Sequence, residues 1–149
     1  LRVISEILEA KPTSKGTDIE PVLKYLNRVT RRRTVSFLIS DFIAPPCEQT
    51  LRITARRHDL VSFVIGDKRE SELPSVGLID FEDPETGQRI TLDTSYAPTR
   101  KALFNRQAAR RDALLKQLRG ARSDTIELQA GEPYDRELAR FFRQREKRR

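Results

Sequence analysis

The chain has little of the chemistry on which most protein metal and redox sites depend. It contains one cysteine, one histidine, no methionine and no tryptophan in 149 residues. Because Cys47 is alone, an internal disulfide is excluded, and a reducing compartment such as the cytoplasm fits this composition. A structural zinc site, built from several Cys and His ligands, is excluded for the same reason. Any metal ion bound here is therefore expected to be a hard cation held by oxygen ligands.

Long apolar runs and a signal-peptide pattern are also missing. No stretch of about 18 apolar residues occurs, so this chain is not expected to cross a membrane. Hydrophobic residues make up 37% of the chain and charged residues 34%, which supports one domain with a thin core. We therefore treat residues 1–149 as belonging to a single domain.

Positive charge is abundant, and it is concentrated in the last third of the chain. Residues 98–149 contain 15 Lys/Arg and 7 Asp/Glu, whereas residues 1–97 contain 14 and 15. The excess lies on two predicted helices and a basic tail at about 143–149. Such a surface could contact nucleic-acid phosphates or anionic lipid headgroups, and the alternative is an ordinary solvated helix face. The candidate residues for an anionic partner are Arg100, Lys101, Arg110, Arg111, Arg140 and Arg143.

Apolar periodicity divides the chain into alternating helices and strands. This alternation predicts a parallel sheet with right-handed crossovers, an α/β fold with a partial Rossmann-like sheet. The turn-rich residues 83–87 join two short strands into a β-hairpin inserted at about 76–94. The predicted helices are 1–10, 18–29, 47–57, 98–119 and 133–146, and the predicted strands are 34–40, 60–65, 76–81, 89–93 and 125–128.

The apolar run from Thr34 to Phe42 is the strongest strand signal in the sequence. It predicts a central strand buried on both faces. Asp41 follows this strand, where open α/β sheets place their ligands. Only three parallel strands are visible, and nothing obvious covers one edge of strand 34–40. The chain is therefore expected to be the C-terminal part of a larger domain, and either a homo-oligomer or the helix at 1–10 is expected to cover this edge.

A set of short motifs follows in a fixed order along nearly the whole chain. The motifs are Gly16-Thr17-Asp18 with Val22-Leu23, Arg31-Arg32-Arg33, Phe37-Leu38-Ile39-Ser40-Asp41-Phe42, Ala55-Arg56-Arg57-His58-Asp59, Asp67-Lys68-Arg69-Glu70, Leu73-Pro74, Gly77, Asp80, Gly87, Asp93-Thr94-Ser95, Tyr134, Leu138 and Phe141-Phe142-Arg143-Gln144-Arg145. Taken in this order, they resemble the bacterial DUF58 family, which carries a von Willebrand A-like domain. The resemblance implies a Rossmann-like sheet, a partnership with MoxR-type AAA+ ATPases and membrane helices upstream of the matched region. It therefore also implies that this domain lies at the cytoplasmic face of the membrane.

The resemblance also implies a metal site at the sheet edge. Thr17 and Asp41 match two of the three ligand loops of a von Willebrand A domain, so Mg²⁺ is expected only in the complete domain and no cofactor in this chain. The Asp-x-Ser-x-Ser loop is missing before Thr17, and Asp93-Thr94-Ser95-Tyr96-Ala97 is interpreted as a strand-end turn instead. Alternatively, Thr17 caps the following helix through the capping-box pattern Thr17-x-x-Glu20, and Asp41 is a turn residue.

Three other candidates carry a structural alternative. His58 could titrate or act as a base, or it could simply end a helix. Cys47 lies near a helix start, where a thiolate is favoured, but an ordinary buried thiol is the alternative. Asp67, Glu70 and Glu72 could face a cation or form a solvated loop. No nucleophile has a recognisable base, so a hydrolase is the weakest hypothesis. The resemblance to DUF58 implies instead a non-enzymatic interaction domain that works with a MoxR-type ATPase in protein assembly or maturation.

Overall fold

The computed structural model describes residues 2–11, 16–67, 74–82 and 87–147. Helices and strands alternate along these residues as the periodicity predicts, with most bounds within two residues of expectation. The elements are α1 (Arg2–Glu9), α2 (Ile19–Val29), β1 (Val35–Ser40), α3 (Glu48–Arg57), β2 (Asp59–Gly66), β3 (Leu78–Glu82), β4 (Arg89–Asp93), α4 (Ala97–Gly120), β5 (Asp124–Gln129) and α5 (Asp135–Glu146).

The described strands form one parallel sheet and one separate hairpin. The sheet has the order β1-β2-β5, with Leu38 opposite Ser62 and Phe63 opposite Ile126. Strands β3 and β4 pair antiparallel, with Leu78 opposite Asp93, between β2 and α4 in the chain. These pairings confirm the α/β class and the inserted hairpin.

Helices cover both faces of the parallel sheet, because β2 presents apolar side chains in both directions. On one face, α2, α3 and α4 pack a core that includes Ile19, Leu23, Leu51, Leu60, Val64 and Leu118. On the other face, α5 packs Leu138 and Phe141 against Val61, Phe63 and Ile126. The result is a three-layer arrangement in which β2 is the central strand. No described helix has the length and apolar character needed to cross a membrane.

The predicted position of strand 34–40 is wrong. In the part of the chain that the structure describes, β1 lies at the edge of the sheet, with β2 as its one neighbour. Its face toward α5 is half open, since Val35 is 49%, Phe37 53% and Ile39 66% exposed. Helix α5 reaches this strand through Phe142, whose ring meets that of Phe37 edge-on at 6.3 Å. The apolar run therefore predicted a strand correctly, but it did not predict the position of that strand in the sheet.

Helix α1 does not pack extensively on β1, so the expectation that it covers the open edge is not met among the described residues. Its apolar residues Ile4 and Leu8 are 60% and 80% exposed.

Helix α2 begins differently from the capping box that the sequence suggests. Asp18, rather than Thr17, is the N-cap, and its carboxylate accepts the backbone N–H of Glu20 at 3.0 Å. A carboxylate at this position also favours the positive end of the helix dipole.

Helix α4 ends with an arginine where glycine is usual. Arg122 has a φ of 60°, its N–H donates to the carbonyl of Arg119, and the N–H of Ser123 donates to that of Leu118. This pair of hydrogen bonds defines a Schellman motif, which reverses the chain. This reversal leads the chain from α4 directly into β5.

Candidate functional site at the carboxyl edge of the sheet

A cavity of about 410 Å³ lies where the parallel strands end and α4 passes over them. Its volume is within the range of roughly 300–1,000 Å³ that is typical of ligand sites. Ligands of open α/β sheets bind at this carboxyl edge, because the loops that follow the strands converge there. The residues that line it are Asp41, Phe42, Ile43, Val64, Ile65, Gly66, Asp67, Phe104, Gln107, Ala108, Arg110, Arg111, Asp112, Leu114, Leu115, Glu127, Leu128 and Gln129.

The turn after β1 forms one rim of the cavity and has a strained backbone. Phe42 has a φ of 57°, an uncommon conformation for a residue with a side chain. Hydrogen bonds hold this turn from both sides: Ser40 Oγ accepts the N–H of Phe42 at 2.9 Å, and Asp41 Oδ1 accepts the N–H of Ile43 at 3.0 Å. Arg110 of α4 donates to the carbonyl of Phe42 at 3.3 Å. Such strain persists where the surroundings enforce it, and it concentrates at functional sites.

The opposite wall comes from the ends of β2 and β5. Gly66 lies beside Gln129, and a Cβ at position 66 would come within 3.2 Å of the Gln129 amide nitrogen. The Oε1 atom of Gln129 is buried and has no hydrogen-bond partner among the described residues. Buried polar atoms usually have a hydrogen-bond partner, and a donor group of a ligand could supply the one that this oxygen lacks. Neither residue stood out in the sequence, because a Gly or Gln at a strand end is common.

Charged side chains surround the mouth of the cavity. Arg111 forms an ion pair with Glu127, with its Nε 2.6 Å from the Oε2 atom. Asp41, Asp67 and Asp112 add three carboxylates, and Arg110 adds a second guanidinium. Asp67, one of the three predicted loop acids, therefore lies at the cavity, whereas Glu70 and Glu72 fall outside the described residues.

The predicted metal residues lie at the same edge of the sheet. Thr17 lies two residues before the first residue of α2, and the start of α2 is joined to the start of α3 by the Thr50 hydroxyl, which donates to Glu20 at 2.8 Å. This hydrogen bond, with Lys24, lowers the pKa of Glu20. Among the described residues, however, no group of three His, Cys, Asp or Glu side chains could hold a metal ion. The metal role of Thr17 and Asp41 therefore stays a prediction.

Cys47 has the environment of an ordinary buried thiol. It is 6% exposed and precedes α3, and its side chain makes no capping hydrogen bond. Burial raises the pKa of the thiol, and the nearby carboxylates of Glu20 and Asp18 raise it further. A raised pKa keeps the sulfur protonated at neutral pH, which favours the structural alternative over the thiolate.

His58 lies at the opposite edge of the sheet from the cavity. It ends α3 immediately before β2 and is 1% exposed. Its Nδ1 atom is 3.2 Å from the Thr34 hydroxyl, and its buried Nε2 atom has no partner among the described residues. Burial, followed by the charge of Arg57, lowers the pKa of the imidazole. The structure therefore separates this histidine from both Asp41 and Cys47.

The predicted basic surface is divided between structural and free basic side chains. Arg100 donates to the backbone carbonyls of Thr94 and Ser95, Arg110 binds the Phe42 carbonyl, and Arg111 is paired with Glu127. The remaining three, Lys101, Arg140 and Arg143, are exposed and have no ion pair in the described part of the chain. The binding of an anionic partner by these six residues stays a prediction.

Residues 93–97 form the strand-end turn that was predicted after β4. Asp93 accepts the N–H of Ser95 at 2.9 Å, and the Ser95 hydroxyl and N–H together lower the pKa of Asp93. The Thr94 hydroxyl donates to the carbonyl of Gly77 at 2.7 Å. These contacts connect the hairpin to the start of α4, as expected of a strand-end turn.

Three parallel strands, helices on both faces and a cavity at the carboxyl edge define a Rossmann-like α/β domain. The family model described as "Protein of unknown function DUF58" matches residues 1–113. The chain therefore belongs to the DUF58 family, and the prediction made from the ordered motifs is confirmed. No solved structure matches the chain.

Its relatives among curated proteins are mycobacterial and uncharacterized. The chain is 30% identical over 147 residues to Mb1516 of Mycobacterium bovis and to Rv1480 of Mycobacterium tuberculosis. These alignments cover 97% of this chain but 45% of each relative. The chain is also 28% identical over 148 residues to MAV169 of Mycobacterium avium, covering 97% of this chain and 85% of the relative. The chain thus spans less than half the length of the first two relatives.

Proposed function

We propose that this domain is a non-enzymatic interaction module that binds a partner protein, a MoxR-type AAA+ ATPase, through the cavity at the carboxyl edge of its sheet. The observation that carries the proposal is the cavity itself. It lies where α/β folds recognise ligands, and Phe104 and Leu128 provide apolar wall surface next to charged side chains. The family resemblance supplies the identity of the partner and its role in protein assembly or maturation.

The surroundings of the two reactive side chains support a binding role over catalysis. His58 is buried at the far edge of the sheet, and its Nδ1 atom faces the Thr34 hydroxyl. Cys47 is buried with a raised pKa, so it is a poor nucleophile. The cavity offers carboxylates, guanidiniums and apolar surface, which suit recognition.

Metal assistance and membrane attachment belong to the proposal only for the longer protein. Thr17 and Asp41 would be the contribution of this chain to a Mg²⁺ site whose further ligands come from elsewhere. The family resemblance implies membrane helices upstream, with this domain on the cytoplasmic face. A polypeptide extended upstream by about one hundred residues, enough for the missing strands and ligand loop of such a fold, should bind Mg²⁺ by calorimetry and lose it on Asp41→Ala if this part of the proposal holds.

The central experiment measures binding between this chain and the MoxR-type ATPase from the same genome. Phe104 is 53% exposed and lines the cavity, so Phe104→Ala should weaken binding about tenfold or more by removing an aromatic anchor. Tyr25→Ala is the matched control, because Tyr25 is 58% exposed on α2, away from the cavity. No binding by the unaltered chain, or equal weakening by both variants, would reject the proposal.

A second candidate function is binding to an anionic surface, either nucleic acid or lipid headgroups. It is favoured by Lys101, Arg140 and Arg143, which are exposed and free of ion pairs in the described part of the chain. Binding that weakens steeply with salt and that is lost in the triple alanine variant would support it over the first proposal.

A further inference from the structure

The cavity is locally acidic in a strongly basic chain. Four carboxylates and two guanidiniums line it, a local excess of two negative charges, whereas the whole chain carries a net charge of +7. The net charge therefore changes sign at the carboxyl edge of the sheet, where the strand ends meet α4. Because the fields of clustered charges add, the cavity attracts a positively charged group that the rest of the surface repels.

Contacts within the cavity leave two of its carboxylates, Asp41 and Asp112, with capacity for a ligand. Glu127 is paired with Arg111, and Arg110 is held by the carbonyl of Phe42. Asp41 uses its Oδ1 atom for the turn, whereas its Oδ2 atom and the carboxylate of Asp112 have no partner in the described part of the chain. Carboxylate oxygens that accept no hydrogen bond are complementary to an ammonium or guanidinium group.

The buried wall adds a neutral acceptor to these carboxylates. The Oε1 atom of Gln129 is buried without a hydrogen-bond partner among the residues that the structure describes, and the Gln129 amide packs so closely on Gly66 that a Cβ there would come within 3.3 Å of Oε1. Around it, the side chains of Phe42, Val64, Leu114 and Leu128 form apolar surface. A ligand with hydrogen-bond donors at the end of an aliphatic stem would match both the polar acceptors and the apolar wall.

We propose that the cavity receives a lysine or arginine side chain of the partner polypeptide, with its aliphatic stem on the apolar wall and its cationic head between Asp41, Asp112 and Gln129. Long basic side chains bury their stems in this way while the charged head keeps polar contacts. The aromatic ring of Phe104 at the rim adds a face on which a cation is stabilised. This inference deepens the proposed function, on which it rests, by naming the chemistry of the partner.

An acidic side chain fits the same cavity poorly. Arg111 is already neutralised by Glu127 at 2.6 Å, so an incoming carboxylate would meet Asp41 and Asp112 with only Arg110 to offset them. Bringing like charges together in a partly enclosed site is strongly unfavourable. Charge complementarity therefore selects the basic ligand.

The test uses small probes of matched shape and different charge on the complete 149-residue chain. Acetyl-arginine amide and acetyl-lysine amide are titrated while backbone amide signals are followed by NMR, with acetyl-citrulline amide as the neutral isostere of arginine. We expect the two cationic probes to shift the signals of Phe42, Gly66 and Gln129, and the citrulline probe to bind at least about tenfold more weakly because it lacks the charge. Free agmatine binding more tightly than both amides would assign the site to a small amine and overturn the assignment to a polypeptide.

Two variants locate the binding. Asp41→Asn removes one carboxylate of the cavity, and Ala108→Leu fills space from an exposed position of α4 without a change of charge. Asp41→Asn should weaken binding of acetyl-arginine amide about tenfold, the ratio expected when one charge-assisted hydrogen bond is lost, and Ala108→Leu should weaken it by occupying the space that the ligand needs. Glu9→Gln is the control, since it removes the same charge from α1.

The outcomes separate this inference from the proposed function. If the ATPase binds the chain but Asp41→Asn leaves that affinity unchanged and no cationic probe binds, the inference is wrong and the proposed function stands. If the probes bind as expected but the ATPase does not, the inference stands for another basic partner. Equal binding of the arginine and citrulline probes would overturn the inference, because it would show that charge is not recognised.

Discussion

The buried side chain of His58 makes the stability of this fold depend on pH. Its imidazole is 1% exposed, with one ring nitrogen facing Thr34 and the other without a partner in the described part of the chain. Burial, followed by the charge of Arg57, lowers its pKa below the ordinary value of 6.5, so folding favours the neutral form of the imidazole. The unfolded chain binds the proton more readily, and protonation therefore favours unfolding.

We expect the free energy of unfolding to fall as the pH drops from about 7 to 5. The contribution of His58 is fully present above its unfolded pKa of 6.5 and is lost as the pH falls toward its lower folded pKa. The slope reaches at most about 1.4 kcal/mol per pH unit for one proton. Urea denaturation of the unaltered chain and of His58→Gln measures this effect, and equal slopes between about pH 5 and 7 would contradict it.

Residues with special backbone roles show where a sequence pattern and the structure differ. Thr17 fits a capping-box motif, yet Asp18 caps α2, because its carboxylate reaches the N–H of Glu20 at 3.0 Å. Phe42 and Arg122 have positive φ values that neither residue type predicts. A motif predicts that a cap or a turn exists, but the local backbone decides which residue makes it.

At the scale of elements, α5 is attached to the sheet by both apolar contact and ion pairing. Phe141 packs on the core of β2 and β5. Near the end of the helix, Arg145 is paired with Asp59 of β2 and, at 3.0 Å, with Asp124 of β5. One side chain therefore connects the last helix to two neighbouring strands. The side chains of Arg145 and Asp59 are only 14% and 18% exposed, so solvent screens this pair weakly.

Arg145→Met should lower the free energy of unfolding by roughly 2 kcal/mol, between the values for exposed and fully buried ion pairs. The aliphatic part of the side chain is retained, so the loss reports on the charge. Arg143→Met is the control, because Arg143 is exposed and has no ion pair in the described residues. Urea denaturation measures both variants. If the decrease in the free energy of unfolding is no larger for Arg145→Met than for the control, α5 is held by apolar contacts alone.

The hairpin and the long helix show what turn chemistry and helical period can predict. Residues 83–87 are rich in turn formers, and β3 and β4 pair on either side of them. Helix α4 runs from Ala97 to Gly120, one residue beyond its predicted bounds at each end. Both features depend on interactions between residues close in sequence, which is why local patterns predict them.

At the scale of the whole molecule, the open edge of β1 is the main unsatisfied feature. The strand has one neighbour in the described chain, and Val35, Phe37 and Ile39 expose apolar surface beside it. Unpaired backbone groups next to apolar side chains invite pairing with another strand. The homo-oligomer expected from the sequence therefore remains a prediction for this chain.

Ile39→Lys should abolish self-association without loss of stability. Ile39 is 66% exposed, so its replacement should change the free energy of unfolding by no more than about 0.5 kcal/mol, while a charge at an edge opposes strand pairing. Sedimentation of the 149-residue chain over a range of concentrations measures the effect. Leu78→Lys, on the hairpin at a position 74% exposed, is the control. A chain that stays monomeric at every concentration would refute the prediction.

The sequence by itself determined the element types, their order, the family and the position of Asp41 at a strand end. These follow from local periodicity, turn residues and motif order, which short-range interactions impose on every stretch of chain. It also indicated that strand 34–40 lacks a partner on one side. It did not determine that β2, whose run is equally apolar, is the central strand, because pairing energies are summed over residues far apart in sequence.

Only the tertiary structure decided the site. The cavity brings together Asp41, Gly66, Asp112 and Gln129, which lie far apart in the sequence and share no motif. The same packing placed His58 at the other edge and paired Arg111 with Glu127. Burial, hydrogen-bond satisfaction and local charge are properties of side chains brought into contact, and they exist only once the layers have assembled.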